Sequence, residues 1–233
     1  SFPTRRSSDL VSVASWLEMG GVYAVANLRG GNEYGEGWHQ QGILDRKQNV
    51  FDDFIAAGRY LIEQGYTSRE KLSIKGGSNG GLLTAVCMLQ APELYGAVCS
   101  NVPVTDMLRY HKFTVGRYWV SDYGNAEADP NAFEYLYEYS PVHNVAENFD
   151  NPAVLVTSAE SDDRVAPLHA KKFVAALQAN TNGENPVLLR VETKAGHGAG
   201  KPTSKRIEEL VDTYAFLYRA LKMGGEVLES DTN

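Results

Sequence analysis

The 233-residue sequence predicts an α/β fold: a mostly parallel, doubly wound sheet with helices on both faces. Three observations carry that reading. Short apolar runs alternate with helical stripes from about residue 21 to residue 222. The first of them, residues 22–28, is continuous and meets a Gly-rich loop, as a strand buried on both faces does. One run meets one stripe through a G-x-S-x-G turn, the strand–turn–helix context in which that motif lifts a serine out of the backbone.

The elements follow in order. Residues 22–28 are an apolar run ending in Arg29-Gly30-Gly31, which reads as a first buried strand. Residues 50–64 set Phe51, Phe54, Ile55, Gly58, Leu61 and Ile62 on one stripe of an amphipathic helix, with Gly65 as its C-cap. A strand at 72–75 leads to a helix at 80–90, stopped near Pro92, and to a strand at 96–102. The aromatic stretch 104–148 is too long for a plain connection and predicts a helical insertion over the active face. Strand 153–159, helix 168–180, strand 187–192 and a last helix 203–222, entered through Pro202, complete a five-stranded reading.

Composition bounds the function. Hydrophobic content of 43% and charged content of 22% are those of a soluble globular domain. A net charge of −7 argues against nucleic acid as a partner. No window approaches the ~18 consecutive apolar residues of a membrane span. Cys87 and Cys99 fall on a predicted helix and a predicted strand, and read as buried thiols rather than a disulfide framework. Residues 1–10 are unlike the rest: Arg5-Arg6 is followed by no apolar segment, so the stretch reads as a non-native leader and not a secretory signal. The catalytic domain is expected over residues 11–233.

The turn Gly76-Gly77-Ser78-Asn79-Gly80 makes Ser78 the candidate nucleophile, with glycines at both flanks where a Cβ would collide with strand or helix. A serine hydroxyl needs a general base, and the base needs a carboxylate to hold its tautomer. In the α/β-hydrolase fold these follow the nucleophile in the order acid, then His, at the carboxyl ends of strands. Of five histidines, His39 precedes Ser78, His111 and His143 lie in the insertion, and His169 sits at a helix start. His197 follows strand 187–192 between glycines, which suits a loop shaped to present one side chain, and is the candidate base. The acid should follow strand 153–159, where Asp162 and Asp163 are adjacent; the pattern does not choose between them, and the one not facing His197 is free to cap the helix near Pro167. The N–H of Asn79 is the expected first oxyanion donor.

Gly76 to Gly81, Asp162-Asp163-Arg164-Val165, the 194–202 stretch around His197, Arg29 to Gly35 and Asp106 to His111 together resemble the prolyl oligopeptidase family of serine peptidases, from about residue 16 to 222. The resemblance implies an α/β-hydrolase domain cleaving short peptides after proline, without cofactor or metal. It assigns the triad to Ser78, Asp162 and His197, leaving Asp163 a structural neighbour. It matches Trp119 to the tryptophan that stacks on the proline ring, Tyr123, Val104 and Val165 to other pocket walls, and Arg164 to the arginine that binds a peptide carbonyl. It further implies an N-terminal β-propeller covering the active face, absent here together with the first hydrolase strands and the tyrosine of the second oxyanion donor. On that reading the chain is an N-terminally truncated piece of a monomeric, cytoplasmic enzyme; a periplasmic one is the alternative. Competing functions are a sister peptidase of the same fold (basic-residue, dipeptidyl or acylaminoacyl) and a fragment with no activity.

Overall fold

A computed structural model describes residues 7–183, 185–193, 196–198 and 201–224. The chain enters through α1 (Ser7–Glu18), which begins inside the stretch read as a leader; residues 1–6 of that stretch lie outside the described residues. The run 22–28 is a correction. It forms no strand, and Val22, Tyr23 and Val25 are exposed. A strand exists only where a second backbone completes its ladder, and among the described residues none pairs with it. The apolar run was a sound local signal; the missing part is non-local.

A single turn, α2 (Glu36–His39), precedes α3 (Gln48–Glu63), which buries Val50, Phe51, Ile55 and Gly58 on the expected stripe. Gly65 follows at φ 74, a left-handed C-terminal position suited to glycine. Then come β1 (Ser73–Gly77), α4 (Asn79–Gln90) and β2 (Ala97–Asn101). The insertion is a series of 3-10 turns with two short helices, α5 (Val120–Tyr123) and α6 (Pro130–Tyr139). Pro130 opens α6, and Asp129 caps it by accepting from the Asn131 N–H at 2.9 Å. β3 (Ala153–Ala159), α7 (Leu168–Asn180), β4 (Val187–Glu192) and α8 (Thr203–Ala220) finish the order.

Among the described residues the sheet has four strands, in the order β1-β2-β3-β4, and every pairing is parallel. Alternation along the central strands assigns the two faces. Val98, Val154 and Val156 pack with Phe51, Leu82 and Phe173, from α3, α4 and α7. Ala97, Cys99, Ala153 and Leu155 turn the other way, to Leu217 of α8 and the adjoining Leu221. Helices therefore cover both faces, as the doubly wound reading expected. All seven residues of β3 are buried, which is why it reads as an apolar run with only the small hydroxyls of Thr157 and Ser158 in it. Fully burying each Val or Leu contributes roughly 1.5–3 kcal/mol. Both cysteines are free and buried, and burial pushes both thiols up.

His169, at the start of α7, ties the insertion to the sheet. Its Nδ1 accepts the backbone N–H groups of Thr105 and Asp106 at 3.2 and 3.1 Å. Asp106, fully buried, also holds Lys172 of α7 at 2.5 Å and Arg109 at 2.7 Å. The insertion thus leaves β2 with its first turn fixed, and it brings α5 to the N-terminus of α4.

Candidate active site

Ser78 sits between β1 and α4 with φ 58 and ψ −114, a positive φ that a non-glycine residue adopts only under constraint. Its N–H donates to the Asn101 carbonyl at the end of β2 (2.9 Å), and its own carbonyl accepts from Gly81 and Leu82. The backbone is thereby pinned on both sides, and the hydroxyl makes no cap bond to the helix it precedes. Glycine is required here for a reason that differs from the motif's symmetry. A Cβ on Gly76 would run into the backbone of Gly80, and one on Gly81 would lie 2.8 Å from both the Asn101 carbonyl and Pro103 Cα. At Gly80 a Cβ meets nothing within 4 Å. The crowded position on the helix side is Gly81, one residue beyond the motif.

Asn79 is the first residue of α4, and its N–H has no hydrogen-bond partner among the described residues, as first-turn amides do not. Its side-chain oxygen accepts from the Tyr123 hydroxyl at 2.7 Å and from Lys47 Nζ at 3.4 Å.

The loop after β3 presents Asp162, which is buried, with its Oδ2 2.7 Å from His197 Nδ1. The other oxygen accepts the N–H groups of Arg164 and Val165 at 2.9 and 2.8 Å. Both oxygens are engaged, so the carboxylate is fixed in orientation. Asp163 is exposed, and α7 starts after Pro167 with no side-chain cap, so the helix-capping role open to the second aspartate is not taken up. With Asp162 accepting at Nδ1, the imidazole carries its proton there and leaves Nε2 as a base. His197 is half-buried; its neighbours Lys194, Ala195, Ala199 and Gly200 lie outside the described residues. No hydrogen bond joins Ser78 to His197 among the described residues.

The other histidines are engaged elsewhere. His39 Nδ1 bonds the Gly30 carbonyl at 3.0 Å, His111 pairs with Glu127 and His143 with Ser140. His169 is held neutral: burial pushes it down to about 4, against the pull of Asp106.

Val104, Tyr123 and Val165 are buried in one apolar cluster, and Trp119 is half-buried against that cluster, stacked on Tyr110 at 6.4 Å and 11°. Arg164 is exposed and makes no ion pair with Asp162 or Asp163 among the described residues. It lines an open cleft of about 700 Å³ together with Ser161, His197 and Lys201. Ser78 and Trp119 are not among the residues that line this cleft.

Lys47 is the site-adjacent residue that sequence reasoning missed. It stands at the N-terminus of α3, where the helix dipole disfavours a cation, and that mismatch was the available signal.

A family model described as the prolyl oligopeptidase family matches residues 8–224. A prolyl endopeptidase of Elizabethkingia meningoseptica is 50% identical over 203 residues, covering 87% of this chain and 29% of its own length. A prolyl oligopeptidase of Omphalotus olearius is 50% identical over 203 residues, covering 86% of this chain and 27% of its own. Among solved structures, one from a study of two prolyl endopeptidases matches with TM-score 0.89 and 53% identity, over 94% of this chain and 32% of that one. A post-proline cleaving enzyme from Rickettsia typhi matches with TM-score 0.87 and 39% identity, over 91% and 30%. The chain thus spans less than a third of the length of these relatives.

Proposed function

The chain belongs to the prolyl oligopeptidase family, and on that premise we propose that it carries the catalytic site of a serine endopeptidase cleaving short peptides on the carboxyl side of proline. Ser78 Oγ attacks the scissile carbonyl as His197 Nε2 takes its proton. Asp162 holds the imidazole and stabilises its cation. The oxyanion of the tetrahedral intermediate accepts from the Asn79 N–H. Collapse expels the amine, protonated by His197, and leaves an acyl-Ser78 ester. Water then attacks that ester, giving its proton to His197; collapse returns that proton to Ser78 Oγ, releasing the carboxylic acid and restoring free Ser78 and neutral His197.

The observation that carries this reading is the Asp162–His197 pair at 2.7 Å on the same sheet end as a serine held at positive φ. For specificity, Trp119 offers an indole face to a pyrrolidine ring, which has no N–H to satisfy. Arg164, exposed in the cleft beside His197, donates to a substrate carbonyl on this reading. The test compares chromogenic peptides with Pro, Arg or Ala before the scissile bond. Preferred cleavage after proline, abolished by Ser78→Ala, is expected; preference for Arg overturns the specificity, and activity kept by Ser78→Ala overturns the mechanism.

A further inference from the structure

Lys47 packs behind the Ser78 turn and has no part in the chemistry above. The residue is 6% exposed. Its Nζ lies 3.4 Å from Asn79 Oδ1 and 5.3 Å from the centre of the Tyr123 ring, and no carboxylate is within ion-pair distance among the described residues. Burying an ammonium without a carboxylate partner is costly. Setting it beside the positive end of α4 is costly again. The Tyr123 ring face and the Asn79 carbonyl offset part of these costs, but neither is the carboxylate a buried ammonium ordinarily takes, so the position calls for a further explanation.

The hydrogen bonds supply one. A carbonyl oxygen has two lone pairs, and Asn79 Oδ1 receives one donor from Lys47 and one from Tyr123. The carboxamide is held from two directions. Its residue is the first of α4, and its N–H, without a partner among the described residues, is the proposed oxyanion donor.

We propose that Lys47 is a positioning residue for the Ser78 reaction. Through the Asn79 carboxamide it fixes the Asn79 peptide N–H, and its charge adds to the positive potential where the oxyanion forms. The inference rests on the mechanism above for Ser78 but not on proline as the specificity.

A pH signature follows. Burial pushes Lys47 down to about 8, with Asp122 pulling the other way. The elements packed around it bring Asp122 and Tyr123 from α5 and His39 from α2, whose Nε2 is 3.7 Å from Asp122. Asp45 and Arg46 come from the preceding turn, Cys87 from α4, and Tyr135 and Tyr139 from α6. Burial raises the tyrosines and the thiol, so these stay neutral near pH 8. Raising pH through about 8 therefore removes the Lys47 charge, and turnover should fall on that alkaline side.

The test measures kcat and KM for a chromogenic proline peptide, and in parallel the rate at which a small fluorophosphonate reacts with Ser78. Lys47→Met should lower kcat and the phosphonylation rate by ~10–100-fold with KM within about twofold. It should also lose the alkaline limb and melt no lower than the parent, since a buried charge is gone. Lys47→Arg should recover most of the rate, while Lys47→Gln keeps a donor to Asn79 without charge and falls between. Unchanged rates in folded Lys47→Gln and Lys47→Met, or an alkaline limb that persists in Lys47→Met, overturn the proposal. A parent that is phosphonylated but does not cleave after proline overturns the specificity alone, with Lys47 still read from the phosphonylation rate. A parent that is never phosphonylated overturns both.

Discussion

His197 and His169 flank the same strand-end region, and the protein uses their imidazoles in opposite ways. His169 is fully buried, and its Nδ1 accepts two backbone amides, those of Thr105 and Asp106. His197 is half-buried, and its Nδ1 faces the Asp162 carboxylate at 2.7 Å with no hydrogen bond at its Nε2 among the described residues. One ring has its acceptor nitrogen committed to holding the insertion on α7. The other has a carboxylate behind it and a basic nitrogen open in front. What sets the proposed catalytic histidine apart from the architectural one is the partner at Nδ1, a carboxylate in one and backbone amides in the other, not the residue type or the closeness to a strand end.

Mutations should keep the two roles apart. His197→Ala is expected to cut turnover by about 10⁴-fold or more while leaving the melting temperature nearly unchanged. Asp162→Asn should cost ~10⁴ in kcat, because the amide favours the wrong tautomer of His197. Steady-state kinetics with circular-dichroism melts on both variants would check this, and a large fall in melting temperature would assign Asp162 to architecture instead.

His169→Ala should do the reverse. It strands two buried backbone N–H groups and should lower unfolding free energy by about 2–3 kcal/mol, with kcat within about tenfold of the parent. The pH dependence carries the same contrast. Burial holds His169 at about 4 in the folded state, against about 6.5 unfolded. Its contribution is fully present above pH 6.5 and lost as pH falls through 4, on the order of 3 kcal/mol. Denaturant titrations from pH 7 to 4 should show that slope in the parent and a flatter one in His169→Ala. Equal slopes would mean that His169 is not held neutral.

The smallest expected effect is at Trp119. Trp119→Ala should raise KM for proline peptides roughly 10-fold, about 1.4 kcal/mol of lost stacking and burial, and spare a non-proline ester. Equal effects on both substrates would make Trp119 ordinary packing.

Much of this was legible in the sequence because it rests on local rules. The bounds of β3, α7 and β4 follow from apolar periodicity broken by Pro152, Pro167 and Pro186. Ser78 and His197 stood out because glycine-rich turns at strand ends have few uses. Four things were not legible. Residues 22–28 carry a strand's composition, but pairing is a property of a neighbour. Glycine requirement falls on Gly81 rather than Gly80, because the clash is with Asn101 and Pro103, distant in sequence. Asp162 and Asp163 are alike by pattern; what distinguishes Asp162 is an oxygen accepting two amides while the other reaches His197. The helix-start position of Lys47 was a visible anomaly, but its role was not, since its partners lie 32 and 76 residues ahead in the sequence, at Asn79 and Tyr123.

The most direct measurement is mass mapping of a fluorophosphonate adduct on the intact protein. A single adduct on Ser78, absent in Ser78→Ala and formed at least about 10³-fold more slowly in His197→Ala, is the predicted result. An adduct on another residue, or an undiminished labelling rate without His197, would contradict a serine nucleophile activated by the Asp162–His197 pair.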